Sequence, residues 1–188
     1  MRSAELRRQA NDHACWRVGP AAWQRNLIRH ASFPPVVDRR TQILILGSLP
    51  GAASLAAGRY YAHPRNQFWR LVGSVINVDL QRLDYDARLA ALLEHRIGLW
   101  DVIAEAERAG SLDAAIRNPA ANDLQSLVQS LPDLRTIGFN GGTAARIGEM
   151  QLGAFAALFR LVRLPSSSPA HAIAFETKLR QWRSLSFG

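Results

Sequence analysis

Gln42–Gly47 reads QILILG, an unbroken apolar run closed by a glycine. A half-exposed strand alternates apolar and polar residues, whereas a run that is apolar throughout suits a strand covered on both faces, as in a parallel sheet. Three later stretches repeat the pattern: Ile97–Val102 (IGLWDV), Leu134–Phe139 (LRTIGF) and Phe159–Leu164 (FRLVRL). Helix signals fall between them. Gln67–Val75 carries apolar residues at helical spacing, and Tyr85–Leu93 is rich in Ala and Leu. Asn122–Ser130 opens on Asn-Asp capping chemistry and stops before Pro132. Thr143–Met150 follows a Gly-Gly turn, and Ala172–Leu185 closes the sequence. Strands alternating with helices predict a three-layer α/β/α sandwich around a mainly parallel four-stranded sheet.

The 188 residues suffice for one domain with a sizeable core. Residues 1–31 differ from the rest: they are polar and Arg-rich, with a Gly19–Pro20 break, and read as a basic N-terminal extension with a helix over Ala21–His30. Residues 32–188 read as the domain. No apolar run approaches the roughly 20 residues that span a bilayer. The first residues, MRSAELRRQANDHACW, lack the apolar centre of a secretory signal, so a cytoplasmic protein without membrane contact is expected.

The formal net charge is +8, and every basic residue except Lys178 is arginine. Arginine pairs with phosphate in bidentate fashion and stacks on bases, which suits a polyanionic partner. An Arg-favouring codon bias produces the same composition, so nucleic acid is an expectation here. Cys15 is the single cysteine, which excludes a disulfide framework or a Cys-ligated cluster within one chain. The five histidines (His13, His30, His63, His95, His171) show no metal-ligand spacing. Neither a metal nor a cofactor is expected.

In an open parallel sheet, ligands bind beyond the carboxyl ends of the strands. The four predicted strand ends read Gly47-Ser48-Leu49-Pro50-Gly51, Asp101-Val102, Asn140-Gly141-Gly142 and Pro165-Ser166-Ser167-Ser168-Pro169. All four are rich in Gly, Pro, Ser, Asn or Asp. The first is a turn whose amides can approach a ligand closely, though without the spacing of a dinucleotide or P-loop motif. After it comes YYAHPRNQFW (Tyr60–Trp69), with groups able to stack on a base, contact phosphate and position water. The plainer reading makes Phe68 and Trp69 core residues that start a helix; it is preferred for Trp69 and not for His63 or Asn66. LPSSSPAH (Leu164–His171) reads either as a phosphate clamp at a helix start or as a capping loop. No GxSxG elbow accompanies Ser48 or Ser167, which argues against a serine hydrolase.

Taken in order, GSLPG–x2–SL, YYAHPRNQFW, GLWDV, NGGTA and LPSSSPAH resemble the uracil-DNA glycosylase superfamily, and within it the hypoxanthine-DNA (deoxyinosine) glycosylase branch. The resemblance runs from about Phe33 to Leu185. It implies an enzyme that flips a deaminated nucleotide out of damaged DNA and hydrolyses its N-glycosidic bond. Asn66 would then be the catalytic residue, positioning the attacking water. Gly47, Ser48, Leu49, Pro50, Asp101 and Asn140 would form the base pocket together with Tyr61 and Phe68, the two candidates to stack on the base. The resemblance favours Phe68. Asp101 would read a base N–H, with an N-cap role as the plainer alternative. His63, Arg65, Ser166, Ser167, Ser168 and His171 would contact DNA, the serine loop gripping phosphates and entering the duplex.

The efficient uracil-cleaving relatives carry an Asp in the first motif that GSLPG lacks, which argues against a fast general uracil glycosylase. With Lys178 in the final helix, no lysine is expected where it could form a Schiff base, so a monofunctional enzyme is predicted; a monomer is expected. A uracil or mismatch specificity on the same scaffold, and a non-catalytic DNA-binding protein, are the alternatives.

Overall fold

A computed structural model describes residues 29–185. In chain order these form β1 (Arg29–Ala31), β2 (Ile43–Gly47), α1 (Ala52–Ala57), α2 (Phe68–Ile76), α3 (Tyr85–Glu94), β3 (Ile97–Asp101), β4 (Ile103–Arg108), β5 (Ile116–Ala121), α4 (Leu124–Gln129), β6 (Thr136–Asn140), α5 (Gly142–Leu152), β7 (Arg160–Leu164) and α6 (Phe175–Trp182).

The central sheet has the order β3-β2-β6-β7 and is parallel throughout. All five residues of β2 are buried, as its uninterrupted apolar run demands. Its side chains alternate between two cores. Leu44 and Leu46 join Ile137 and Phe139 under α4 and α5. Ile43 and Ile45 join Ile97 and Leu99 under α2, α3 and α6, where Phe68, Leu71, Leu92 and Trp182 pack. Three layers result, with all four parallel strands ending on the same side.

Local chemistry sets the helix starts. The Asp84 carboxylate accepts from Ala87 N–H (2.8 Å) ahead of α3, and the Asp123 carboxylate accepts from Ser126 N–H (3.0 Å) ahead of α4. The final helix is shorter than Ala172–Leu185: α6 begins at Phe175 and ends in a 3₁₀ turn over Arg183–Leu185. The serine loop therefore does not abut a helix start, and other groups must hold it.

A second sheet is absent from the sequence-based expectation. β4 continues from β3 almost without a break and pairs antiparallel with both β1 and β5. β1 takes in Arg29 and His30, where the extension was expected to be helical, and Arg29 pairs with Glu105 at 2.6 Å. The rest of the segment read as an extension, Cys15 included, lies outside the described residues.

Candidate active site

A cavity of about 420 Å³ opens beyond the carboxyl ends of the parallel strands. That is within the range of small-ligand sites. Its walls come from the loop after β2, the Tyr60–Asn66 segment, the end of β3, the β4–β5 loop, the end of β6, and the loop after β7.

The GSLPG loop is shaped from below by an arginine. Arg108, at the end of β4, is 2 % exposed and donates to the carbonyls of Leu49 (3.3 Å), Pro50 and Gly110 (3.0 Å). A buried guanidinium needs such acceptors to replace water. The amide plane is rigid and trans, so turning the Pro50 carbonyl onto Arg108 turns the Gly51 N–H the other way. Ser48 Oγ donates to Asp113 Oδ1 (2.8 Å), and Ala52 N–H donates to Ser111 Oγ (3.0 Å), which ties the β4–β5 loop to the segment after β2.

Asp101 is the last residue of β3 and is 3 % exposed. Its Oδ2 has no hydrogen-bond partner within the protein. Burial pushes the carboxyl up to about 7; the Tyr60 hydroxyl and the Arg108 charge pull it back, and Asp113 adds to the rise. Gly47 lies against it in register on β2. A methyl group on Gly47 would stand 2.5 Å from Asp101 Oδ1 and 3.2 Å from the Tyr61 hydroxyl, so the strand end admits both polar groups only because residue 47 has no side chain.

Tyr61 is held by backbone geometry that few non-glycine residues adopt, with φ at +53°. Ser54 Oγ accepts from the neighbouring Ala62 N–H (3.2 Å), and Tyr60 N–H donates to the Tyr85 hydroxyl (2.9 Å). This turn lays the Tyr61 ring on Phe68, centroids 3.7 Å apart and planes within 10°. The sequence reading favoured Phe68 as the ring facing a base. Tyr61 borders the cavity, while Phe68, fully buried at the start of α2, backs it from the core. Burial is also the main reason why the Tyr60 and Tyr61 hydroxyls are harder to ionise than usual.

Asn66 borders the same cavity. Its Oδ1 accepts from Phe68 N–H (2.9 Å), which fixes which way the amide faces, and its own N–H donates to the His63 carbonyl (2.8 Å). His63 lines the cavity too, its Nδ1 accepting from Arg65 N–H (3.1 Å), whereas the exposed Arg65 does not border it.

The serine loop is fastened from several elements, and Gln67 N–H, just ahead of α2, donates to the Ser167 carbonyl (3.0 Å). Asn140 Nδ2 donates to Ser167 Oγ (2.9 Å) and its Oδ1 accepts from Ser167 N–H (2.8 Å). Trp182 Nε1 donates to the Pro165 carbonyl (3.0 Å). Lys178, 1 % exposed, reaches the Ser168 carbonyl at 3.4 Å. So the chain's lysine, expected to lie away from the strand ends, touches the back of a loop at one of them without bordering the cavity. Ser166, Ser167, Ser168 and His171 line the cavity.

Of the candidates named from sequence, Phe68 and Arg65 fall outside the wall and the rest are brought together. Arg108, Ser111, Leu112 and Asp113 were missed. The apolar and acidic positions of IAEAER (Ile103–Arg108) and the Gly110-Ser111 turn were the available signal for a hairpin there. Nothing in the sequence marks Arg108 as buried.

Residues 34–186 match the uracil DNA glycosylase superfamily. A Methanosarcina barkeri protein named hypoxanthine DNA glycosylase is 40% identical over 155 residues, which is 82% of this chain and 96% of that protein. A Methanosarcina acetivorans protein of the same name is 40% identical over 153 residues, 81% of this chain and 95% of its own. A Methanosarcina acetivorans chain solved by solution NMR superposes with a TM-score of 0.75 at 39% identity, covering 84% of this chain and 96% of that one. The chain belongs to the uracil DNA glycosylase superfamily.

Proposed function

We propose that the chain is a monofunctional DNA glycosylase of base excision repair that hydrolyses the N-glycosidic bond of deoxyinosine, releasing hypoxanthine. The observation that carries this reading is the meeting of Asn66 and Asp101 in one cavity at the parallel strand ends. The name borne by both Methanosarcina relatives supports the choice of base.

In this reading the damaged nucleotide leaves the duplex and its base enters the cavity. The Tyr61 ring, stiffened by Phe68 behind it, is the stacking surface. Hypoxanthine presents an N1–H donor beside an O6 acceptor. The Asp101 carboxyl accepts from N1–H when ionised and, when protonated, also donates to O6. Adenine offers an acceptor at N1 instead, which a carboxylate disfavours.

Asn66 Oδ1, oriented by Phe68 N–H, keeps a second lone pair to hold a water against the sugar C1′. The C1′–N9 bond breaks and its electron pair stays on the base; the water oxygen bonds to C1′ and releases its proton. Backbone amides around Ser48–Leu49 and Gly51 stabilise the charge developing on the leaving base. Ser166, Ser168, His63 and His171 contact DNA at the mouth. The mechanism calls on no metal or cofactor, and the enzyme acts as a monomer in the cytoplasm.

The test uses labelled oligonucleotides with a single deoxyinosine, uracil or xanthine, in single strands and opposite each base, treated with alkali to break abasic sites. Breaks at deoxyinosine, lost in Asn66→Ala, are expected. Breaks chiefly at uracil would keep the family and overturn the substrate. Tight DNA binding without breaks would overturn the enzyme in favour of a binding protein.

A further inference from the structure

The cavity is acidic in a basic protein. The chain has 23 lysines and arginines and a formal charge of +8, yet among the described residues no lysine or arginine borders the cavity. Its carboxylates are Asp101 and Asp113, and neither forms an ion pair among the described residues. Arg108 acts on both from behind the wall, but its hydrogen bonds go to the carbonyls of Leu49, Pro50 and Gly110. Two negative groups thus share one cation that bonds elsewhere.

Asp113 Oδ1 accepts from the Ser48 hydroxyl, whereas the buried Asp101 Oδ2 has no partner within the protein. An unpartnered carboxylate oxygen in an interior is costly, and a bound cation that also donates a hydrogen bond removes that cost. A third wall is the Tyr61 ring, stacked on Phe68 at 3.7 Å. The face of such a ring attracts positive charge. Carboxylates and an aromatic face around one cavity suit a flat cation.

Purines become flat cations when a ring nitrogen is alkylated. 7-Methylguanine keeps an N1–H donor beside an O6 acceptor, the edge that the Asp101 carboxyl suits, and adds a positive charge on the imidazole ring. 3-Methyladenine carries the charge but offers an acceptor at N1. We propose, resting on the glycosylase reading above, that the cavity takes a second substrate class: purines made cationic by alkylation, 7-methylguanine foremost. Guanine has the same hydrogen-bonding edge and no charge, so charge is what separates damaged from undamaged base. In excision the C1′–N9 bond breaks and its electron pair neutralises the ring. The water held by Asn66 bonds to C1′ and releases a proton. The base leaves uncharged, so this substrate asks less of the amides in the GSLPG loop.

The experiment measures free base released from duplex oligonucleotides carrying a single 7-methyldeoxyguanosine, deoxyinosine or undamaged deoxyguanosine, with spontaneous depurination subtracted. The wild type should release 7-methylguanine and hypoxanthine but no guanine. Asp113→Asn keeps an acceptor for the Ser48 hydroxyl and removes the charge. In that variant the ratio of 7-methylguanine to hypoxanthine release should fall about tenfold or more. Hypoxanthine release without 7-methylguanine from the wild type would overturn the proposal and leave the glycosylase reading standing; this arm needs no variant to fold. An unchanged ratio in Asp113→Asn, or guanine released as fast as 7-methylguanine, would equally overturn it. A wild type silent on both damaged bases would remove the glycosylase reading, and the proposal with it.

Discussion

Asn140 and Ser167 hold each other twice: the amide nitrogen donates to the hydroxyl at 2.9 Å, and the serine N–H donates to the amide oxygen at 2.8 Å. One side chain at the end of β6 thus fixes the loop after β7. One N–H and one oxygen lone pair of the amide are used, so Asn140 ties the two strand ends together. Asn140→Ala breaks both bonds and leaves the Ser167 N–H buried without a partner. A loss of about 1–3 kcal/mol is expected in urea unfolding, with weaker DNA binding measured by anisotropy. Unchanged binding would show that the loop holds its shape through Gln67, Lys178 and Trp182.

Asp101 gives the protein a stability that falls as pH rises. Its carboxyl stands at about 7 in the folded chain against an ordinary 3.8, so between these values the folded state binds a proton that the unfolded state has released. Its contribution is fully present below about 4 and is lost as pH rises through about 7, a change on the order of 4 kcal/mol. Asp38, Glu105, Asp123 and Glu149 are shifted downward and act in the opposite sense, so the comparison must be made against Asp101→Asn. Urea titrations should show that variant gaining stability on the wild type between pH 5 and pH 8. Parallel pH profiles for the two proteins would refute the assignment.

Arg108 is a support for the cavity rather than a part of its wall. Its forked guanidinium reaches carbonyls of both the GSLPG and β4–β5 loops, a geometry that a single ammonium cannot reproduce. Arg108→Lys and Arg108→Met should both be destabilised, by about 1–3 kcal/mol for each carbonyl left unpartnered in the interior. Lysine should recover little of the lost excision rate. Recovery by lysine to near the wild-type rate would mean that charge alone matters there.

Lys178 bears on whether the DNA strand is cut. A lysine that formed a Schiff base with the sugar would be trapped by borohydride as a covalent protein–DNA product. Lys178 lies behind the serine loop and is held at Ser168, so no trapped product is expected from deoxyinosine substrates. Gel electrophoresis after borohydride treatment decides this, and a trapped band that Lys178→Met abolishes would refute the monofunctional reading.

The central sheet was legible because β2 is apolar on both faces, a pattern with few structural alternatives. The strand ends were legible for a related reason: chains turning sharply beside a ligand need Gly, Pro, Ser and Asn. The second sheet was not. β5 contains Pro119, and its pairing with β4 shifts register between Ile103 and Glu107, which blurs the period of two. Arg108 has the sequence look of a surface charge, since two of the three carbonyls that satisfy it lie 58 and 59 residues away. That Tyr61 and not Phe68 borders the cavity goes with a left-handed φ at Tyr61 that no pattern of residue types announces. Helical periodicity correctly put Phe68 in α2, and that same placement took it into the core.

The contact between strand ends at Gly47 and Asp101 links two positions 54 residues apart into one inherited unit. A side chain at position 47 would push the Asp101 carboxylate out of its place, and a smaller residue at 101 would relieve the tighter of the two contacts at 47. Covariation across the family should therefore couple these two columns. The pair should change as a joint event that accompanies a change of base, not as two independent drifts.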